Sequence, residues 1–374
     1  MVNIKKQIGS VSLFVVIFAT LLITIVTVGF IKIMVNDQRQ ASDANLAQSA
    51  YDSALAGVED AKRAIVDYRA NPVGVNVSAW ENTCNAVMNR LYAGASDSPE
   101  IKIQNGSNTN LLNQSYTCVK VKLDTPDYLG VLKQDDYKMI PLKAKGPFKY
   151  INIDWFSSAD LVDASVPELS GPTVITLKNK SDWSVNTPPI MRVQVIDGKA
   201  GGTGFKMSDF GYKTANNKSL FLYPSTNVIN SIDLASDEIL SIGSPDAINC
   251  ESLVAKGYAC SVRITLQNEV AADSELAFLR LGAIYNSAHY RVTLVNIADS
   301  IVNFHEVQPE VDSTGRASDL FRRVASRVEL GDVDFPYPEA AVNLSGNFCK
   351  TFMITNSETD YDAGECDPEE SINP

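Results

Sequence analysis

Residues 7–31, QIGSVSLFVVIFATLLITIVTVGFI, contain no charged side chain. Wound as a helix, this run rises about 37 Å, more than the ~30 Å hydrocarbon core of a bilayer. The stretch therefore predicts a membrane-spanning helix. A cleaved secretory signal has a shorter apolar core, roughly 7 to 15 residues, closed by a small-residue site. Here the run instead continues into Lys32, Ile33, Met34 and Val35. Lys5 and Lys6 precede it, and positive charge on that side places the N-terminus in the cytoplasm and everything after the span outside. Thr20, Thr24, Thr27 and Gly29 are small or hydroxyl-bearing residues that let neighbouring helices approach closely.

Beyond the span, Ala44, Ala47, Tyr51, Ala54, Val58, Ala61, Ile65 and Tyr68 recur at alternating steps of three and four, an a/d stripe. Asp43, Asp52, Glu59, Asp60, Lys62, Arg63 and Asp67 fall off it. No proline interrupts residues 10–71, and Asn71-Pro72 supplies the stop. One continuous helix close to 90 Å long is predicted. Its alanine-rich stripe admits close packing by a β-sheet or by a second helix, and a coiled-coil stalk is the alternative.

The N-terminus resembles a type IV prepilin: a short basic leader, Met1-Val2-Asn3-Ile4-Lys5-Lys6-Gln7-Ile8-Gly9, followed by Ser10-Val11-Ser12-Leu13-Phe14 opening the apolar helix. The resemblance implies that a prepilin peptidase cleaves between Gly9 and Ser10 and that the new N-terminus is methylated. It divides the chain into a leader (1–9), a transmembrane helix half (10–35), an amphipathic helix half (36–71) and an extracytoplasmic head (72–374). The partners it implies are other pilin subunits met through this helix, the prepilin peptidase and the membrane. Most pilins carry at the fifth mature position a glutamate that neutralises a neighbour's terminal amine. Phe14 stands there in this chain, which resembles the minor subunits that occupy a filament tip.

After Pro72 the sequence changes to short β-branched and aromatic runs separated by Gly, Pro, Asn and Asp, the pattern of a β-rich fold. Strands are expected at 116–123, 148–155, 173–177, 191–196, 219–223, 260–266, 276–284, 290–297, 301–307 and 321–330. Residues 72–115 read as a connection holding one short helix near 79–91. The head is larger than a minimal pilin head needs, so a second β module is expected, inserted at about 160–285. The fold class is α+β, a long N-terminal transmembrane and amphipathic helix followed by a large antiparallel β-rich head.

The cysteines are Cys84, Cys118, Cys250, Cys260, Cys349 and Cys366, an even number with no metal-type C-x-x-C. Outside the cytoplasm disulfides persist. Among the fifteen possible connectivities, pairing of sequence neighbours gives three local loops, Cys84–Cys118, Cys250–Cys260 and Cys349–Cys366. Reduced, buried thiols are the alternative. Pilins often carry a C-terminal loop such as the last pair would close.

A net charge of −12 and a pI of about 4.7 give no broad attraction to nucleic acid or anionic lipid, and no nucleic-acid partner is expected. The local basic spots, Lys138, Lys143, Lys145 and Lys149, and Arg316, Arg322, Arg323 and Arg327, read as solvated strand faces. His289 and His305 are the two histidines, each in a strand-like run, which is too few for an advertised zinc or general-base site. Gly198, Gly201, Gly202 and Gly204 lack the context of a phosphate loop. Asp360, Asp362 and Glu365, like Asp332 and Asp334, lack a full calcium-loop signature. No cofactor or enzymatic activity is expected. The function expected is a minor structural subunit of a type IV pilus or related filament, serving adhesion, motility or assembly priming. A solitary membrane-anchored surface binding protein is the runner-up, ahead of an anchored hydrolase.

Overall fold

The structure, a computed structural model, describes residues 9–103, 113–160, 175, 179–197, 219–226, 228, 230–234, 245–251, 257–274 and 276–329. The elements are helices α1 (Gly9–Ala70) and α2 (Val77–Asn82), then strands β1 (Ile101–Lys102), β2 (Ser115–Lys122), β3 (Tyr128–Leu132), β4 (Tyr137–Pro141), β5 (Phe148–Ser157), β6 (Ile190–Asp197) and β7 (Ser219–Ser225). They continue with β8 (Ser231–Asp233), β9 (Asp246–Asn249), β10 (Tyr258–Val270), β11 (Ala277–Ile284), β12 (Ala288–Val295), β13 (Ile301–Val302), β14 (Glu310–Ala317) and β15 (Leu320–Arg327).

With 62 residues, α1 extends about 93 Å. It ends one residue before Asn71-Pro72, where the proline ring disfavours helical backbone at Asn71. Residues 13–45 are exposed throughout. Only the last third is packed, through Ala50, Ser53, Ala54, Gly57, Val58, Ala61, Ala64 and Ile65. The stripe expected from Ala44 therefore needs correction at its start: Ala44 and Tyr51 are exposed and Ala47 is half-buried, while Ala50, Ser53 and Gly57 are buried. A 3.5-residue repeat drifts ~20° per heptad around a straight 3.6-residue helix, so the alternating pattern matches the packed face only from Ala54 onward.

The packing partner is an antiparallel sheet ordered β1-β2-β14-β15. Val121 pairs with Val311 and Val119 with Ser313, and a bulge between Thr314 and Gly315 brings Gly315 opposite Tyr116. Ser313 also faces Val324 on β15. Towards α1, β14 presents Val311, Ser313, Gly315 and Ala317, all small and inward-facing. A core of Val58, Ala61, Ile65, Trp80, Met88, Tyr116, Val119 and Val311 fills the space between helix and sheet.

Between β2 and β14 the chain builds a β-sandwich. One sheet runs β13-β12-β5-β10-β8, with β3 also beside β12, and the other runs β4-β11-β6-β7-β9. Ile151, Ile153, Trp155, Val262, Ile264 and Val292 from the first meet Ile140, Val193, Leu220, Leu279 and Leu281 from the second in one core. The sandwich strands run from Tyr128 to Val302, wider than 160–285, because β3, β4 and β5 belong to the sandwich and not to the helix-packed sheet.

Pairing is mostly antiparallel, but β8 lies parallel to β10 and β7 parallel to β9, so the two sandwich sheets are mixed. The run at 301–307 forms strand only at Ile301–Val302. After it, Phe304 bridges Thr125 and Ala144 and Glu306 takes a left-handed conformation (φ 57°), which turns the chain back toward α1. The helix expected near 79–91 is α2 followed by a 3-10 turn at Ala86–Arg90. The strand expected at 173–177 lies outside the described residues apart from Ile175, which is in no strand.

Candidate functional site

The candidate site is the bare half of α1. Leu13, Phe14, Phe18, Leu22, Ile25, Phe30 and Met34 are all more than half exposed, and they point in every direction around the helix. Thr20, Thr24 and Thr27 donate their hydroxyls to the carbonyls of Ile17, Leu21 and Ile23 at 2.7–2.9 Å. Their polar atoms are thereby satisfied within the helix, and the surface stays apolar. By length and composition this helix is able to cross a membrane. Such a surface is unfavourable in water and requires lipid or other apolar helices around it.

The other half of the helix is locked to the head. At Gly57 an added Cβ would overlap Ser313 Oγ, and at Gly315 it would overlap the backbone of Ala50 and Ala54. Helix and sheet thus touch backbone to backbone. On one flank Tyr116 donates its hydroxyl to Asp60 at 2.8 Å and Tyr92 does so at 3.2 Å. Burial, reinforced by this bond to Asp60, pushes the Tyr116 phenol well above its ordinary range.

The C-terminal end of α1 has its free carbonyls capped by a side chain. Arg90 donates to the carbonyls of Asp67 (3.0 Å) and Asn71 (3.2 Å) and pairs with the Asp67 carboxylate. Tyr68 packs edge-on to Trp80 (5.3 Å) and donates to Glu306 (3.1 Å). Gln308, 2% exposed, exchanges two hydrogen bonds with the Leu129 backbone at 2.9 and 2.7 Å. With Arg327–Asp127 at 2.8 Å, these contacts join the helix-packed sheet to the sandwich.

Gly9 and Ser10 open α1; the rest of the leader lies outside the described residues. Disulfides join Cys84 to Cys118 and Cys250 to Cys260. The first ties the segment after α2 to β2, and the second closes the start of β10 onto the residue after β9. Cys349 and Cys366 lie outside the described residues, as do Asp332, Asp334, Asp360, Asp362, Glu365 and Gly198, Gly201, Gly202 and Gly204.

His289 Nδ1 lies 2.7 Å from Asp160, and His305 Nδ1 2.8 Å from Asp124. The two rings belong to separate ion-pair clusters, and no metal-holding group of three or more His, Cys, Asp or Glu exists among the described residues. The basic spots are dispersed. Lys138 pairs with Glu329, Lys145 with Asp124, Arg316 with Glu100 and Arg323 with Asp312. Lys149 donates to the Gln267 carbonyl and Lys143 offers its own carbonyl to His305, while Arg322 is exposed on β15.

Sequence reading missed Gly57, Ser313 and Gly315, which set the helix–sheet distance. The signal available was the run of small residues at alternate positions of 311–317. Comparison with protein families, curated proteins and solved structures found no match to this chain.

Proposed function

We propose that the chain is a non-enzymatic, membrane-anchored filament subunit resembling the minor pilins of type IV pili. The observation that carries this reading is one unbroken helix with two environments: a bare apolar half, and a half packed through small residues onto the chain's own sheet. A helix built this way holds the head at a fixed distance from an apolar medium, whether bilayer or a bundle of like helices.

In this reading the N-terminus is cytoplasmic and the head is outside. The peptidase cuts between Gly9 and Ser10, and the bare half leaves the membrane to pack among other subunits' helices. The disulfides Cys84–Cys118 and Cys250–Cys260 fit an oxidising compartment. Phe14, being uncharged, cannot pair with a neighbour's terminal amine, so the subunit sits in few copies near the tip. The same residue favours the second reading, a solitary membrane-anchored surface binding protein that assembles with nothing. Immunogold labelling of sheared filaments separates them: gold at filament ends supports the tip subunit, and filaments without label support the solitary protein. Even decoration along the length would overturn the tip placement.

A further inference from the structure

Asn-X-Ser with X other than proline occurs six times in the chain, at Asn76, Asn105, Asn113, Asn179, Asn217 and Asn343. This is the acceptor motif of N-linked glycosylation, in which the Asn amide takes the sugar and the hydroxyl two residues on is recognised with it. The motif alone does not choose among the six. Asn105, Asn217 and Asn343 lie outside the described residues, and the other three differ in what the fold leaves open.

At Asn113 the hydroxyl is withdrawn: Ser115 is 0% exposed and donates to Glu100 at 3.1 Å. At Asn179 it is engaged, since Ser181 donates to Asp182 at 3.3 Å. At Asn76 both groups of the motif are open. Asn76 and Ser78 are exposed. Asn76 Oδ1 accepts from the Ala79 N–H at 3.3 Å, while Asn76 Nδ2 and the Ser78 hydroxyl make no hydrogen bond among the described residues.

A second observation, independent of the motif, falls at the same place. Asn76 lines a cavity of about 310 Å³, walled also by Val75, Trp80, Asn89 and Arg90. At Gly74, another wall residue, nothing lies within 4 Å of the position a Cβ would take. The polar walls are engaged elsewhere. Asn89 exchanges two bonds with Ser96, at 3.0 and 3.1 Å, and Arg90 holds the carbonyls of Asp67 and Asn71. The cavity thus presents no free charge to a diffusing ion, and a neutral ring tethered to its exposed wall residue fits it better.

We propose that Asn76 is an N-glycosylation site and that the cavity seats the first sugar of the attached oligosaccharide. The donor is an oligosaccharide joined through a diphosphate to a lipid. Asn76 Nδ2 forms a bond to the anomeric carbon as the bond from that carbon to the donor phosphate breaks. The lipid diphosphate leaves with the electron pair of the broken bond, and Nδ2 gives up one proton to a base of the transferase. Oδ1 takes no part, so its bond to the Ala79 N–H, which caps α2, survives. The inference rests on the reading that the head lies outside the cytoplasm.

The test is tryptic mapping of the native full chain purified from its own membranes, with electron-transfer fragmentation of the peptide 70–90 and alkylation before and after reduction. That peptide holds both Asn76 and Cys84, and it should carry an added oligosaccharide mass localised to Asn76. Asn76→Asp, which keeps the capping oxygen and has no amide, should lose the mass, as should Ser78→Ala. Ser78→Thr should keep it, and thermal melts should show that all three variants fold. A bare Asn76 in the native chain, or an added mass that persists in Asn76→Asp, would overturn the proposal. Cys84 separates the two ways of failing: a bare Asn76 with Cys84 still bridged removes the glycan alone, and a bare Asn76 with a free Cys84 thiol removes the extracytoplasmic reading as well.

Discussion

Gly315 of β14 rests on the main chain of α1 at Ala50, so closely that a methyl group at 315 would occupy the space of the Ala50 carbonyl oxygen. The long helix is seated in the head by the absence of side chains. Gly315→Ala should therefore destabilise the head by about 3 kcal/mol, the upper part of the range for overpacking. Gly29→Ala, at a position with nothing within 4 Å, should leave the head unchanged. Urea unfolding of the two variants checks the contrast.

Tyr116→Phe removes the bond to Asp60, a hydrogen bond to a carboxylate and thus worth about 1.5 to 3 kcal/mol. It should also alter the alkaline limb of the stability profile. Burial raises the folded-state pKa of Tyr116, Tyr128 and Tyr290 above the ordinary 10.0. The folded state then retains protons that the unfolded state loses, so stability is complete below pH 10 and declines as pH rises from there. Each tyrosine contributes a slope of up to about 1.4 kcal/mol per pH unit. Melts between pH 8 and 12 should show the decline, and the Phe variant a shallower one.

Replacing Cys84 and Cys118 by serine opens a loop of sequence separation 34, worth about 3.8 kcal/mol in the chain-entropy account. The pair Cys250–Cys260, separation 10, is worth about 2.7 kcal/mol by the same formula. The first double variant should thus melt lower than the second. Non-reducing peptide mapping of the native protein should find both bridges.

Val16→Asp places a charge inside the charge-free run 7–31, three residues from its centre, at a cost of ~3 kcal/mol for insertion. Membrane fractionation should find this variant depleted from the bilayer. Val66→Asp, on an exposed face of the packed half, should fractionate as the parent does.

How much of this was legible in the sequence varies element by element. The helix was, since an apolar run, a stripe without proline and an Asn71-Pro72 stop are all local signals. Which face packs was legible only in part, because a 3.5-residue pattern and a 3.6-residue helix part company over three heptads. β14 was not foreseen. Its inward residues, Val311, Ser313, Gly315 and Ala317, carry almost no hydrophobic signal, because the opposing helix face is itself made of alanine, serine and glycine. The parallel pairs β8–β10 and β7–β9 join segments far apart in sequence, and periodicity says nothing about such partners.

The mature N-terminus of the native protein decides whether the chain is the processed, anchored filament subunit proposed above. Mass spectrometry of the N-terminal peptide from purified membranes or filaments should show a chain that begins at Ser10 with a methylated amine. An intact Met1, or a start beyond Ala41, would contradict the account.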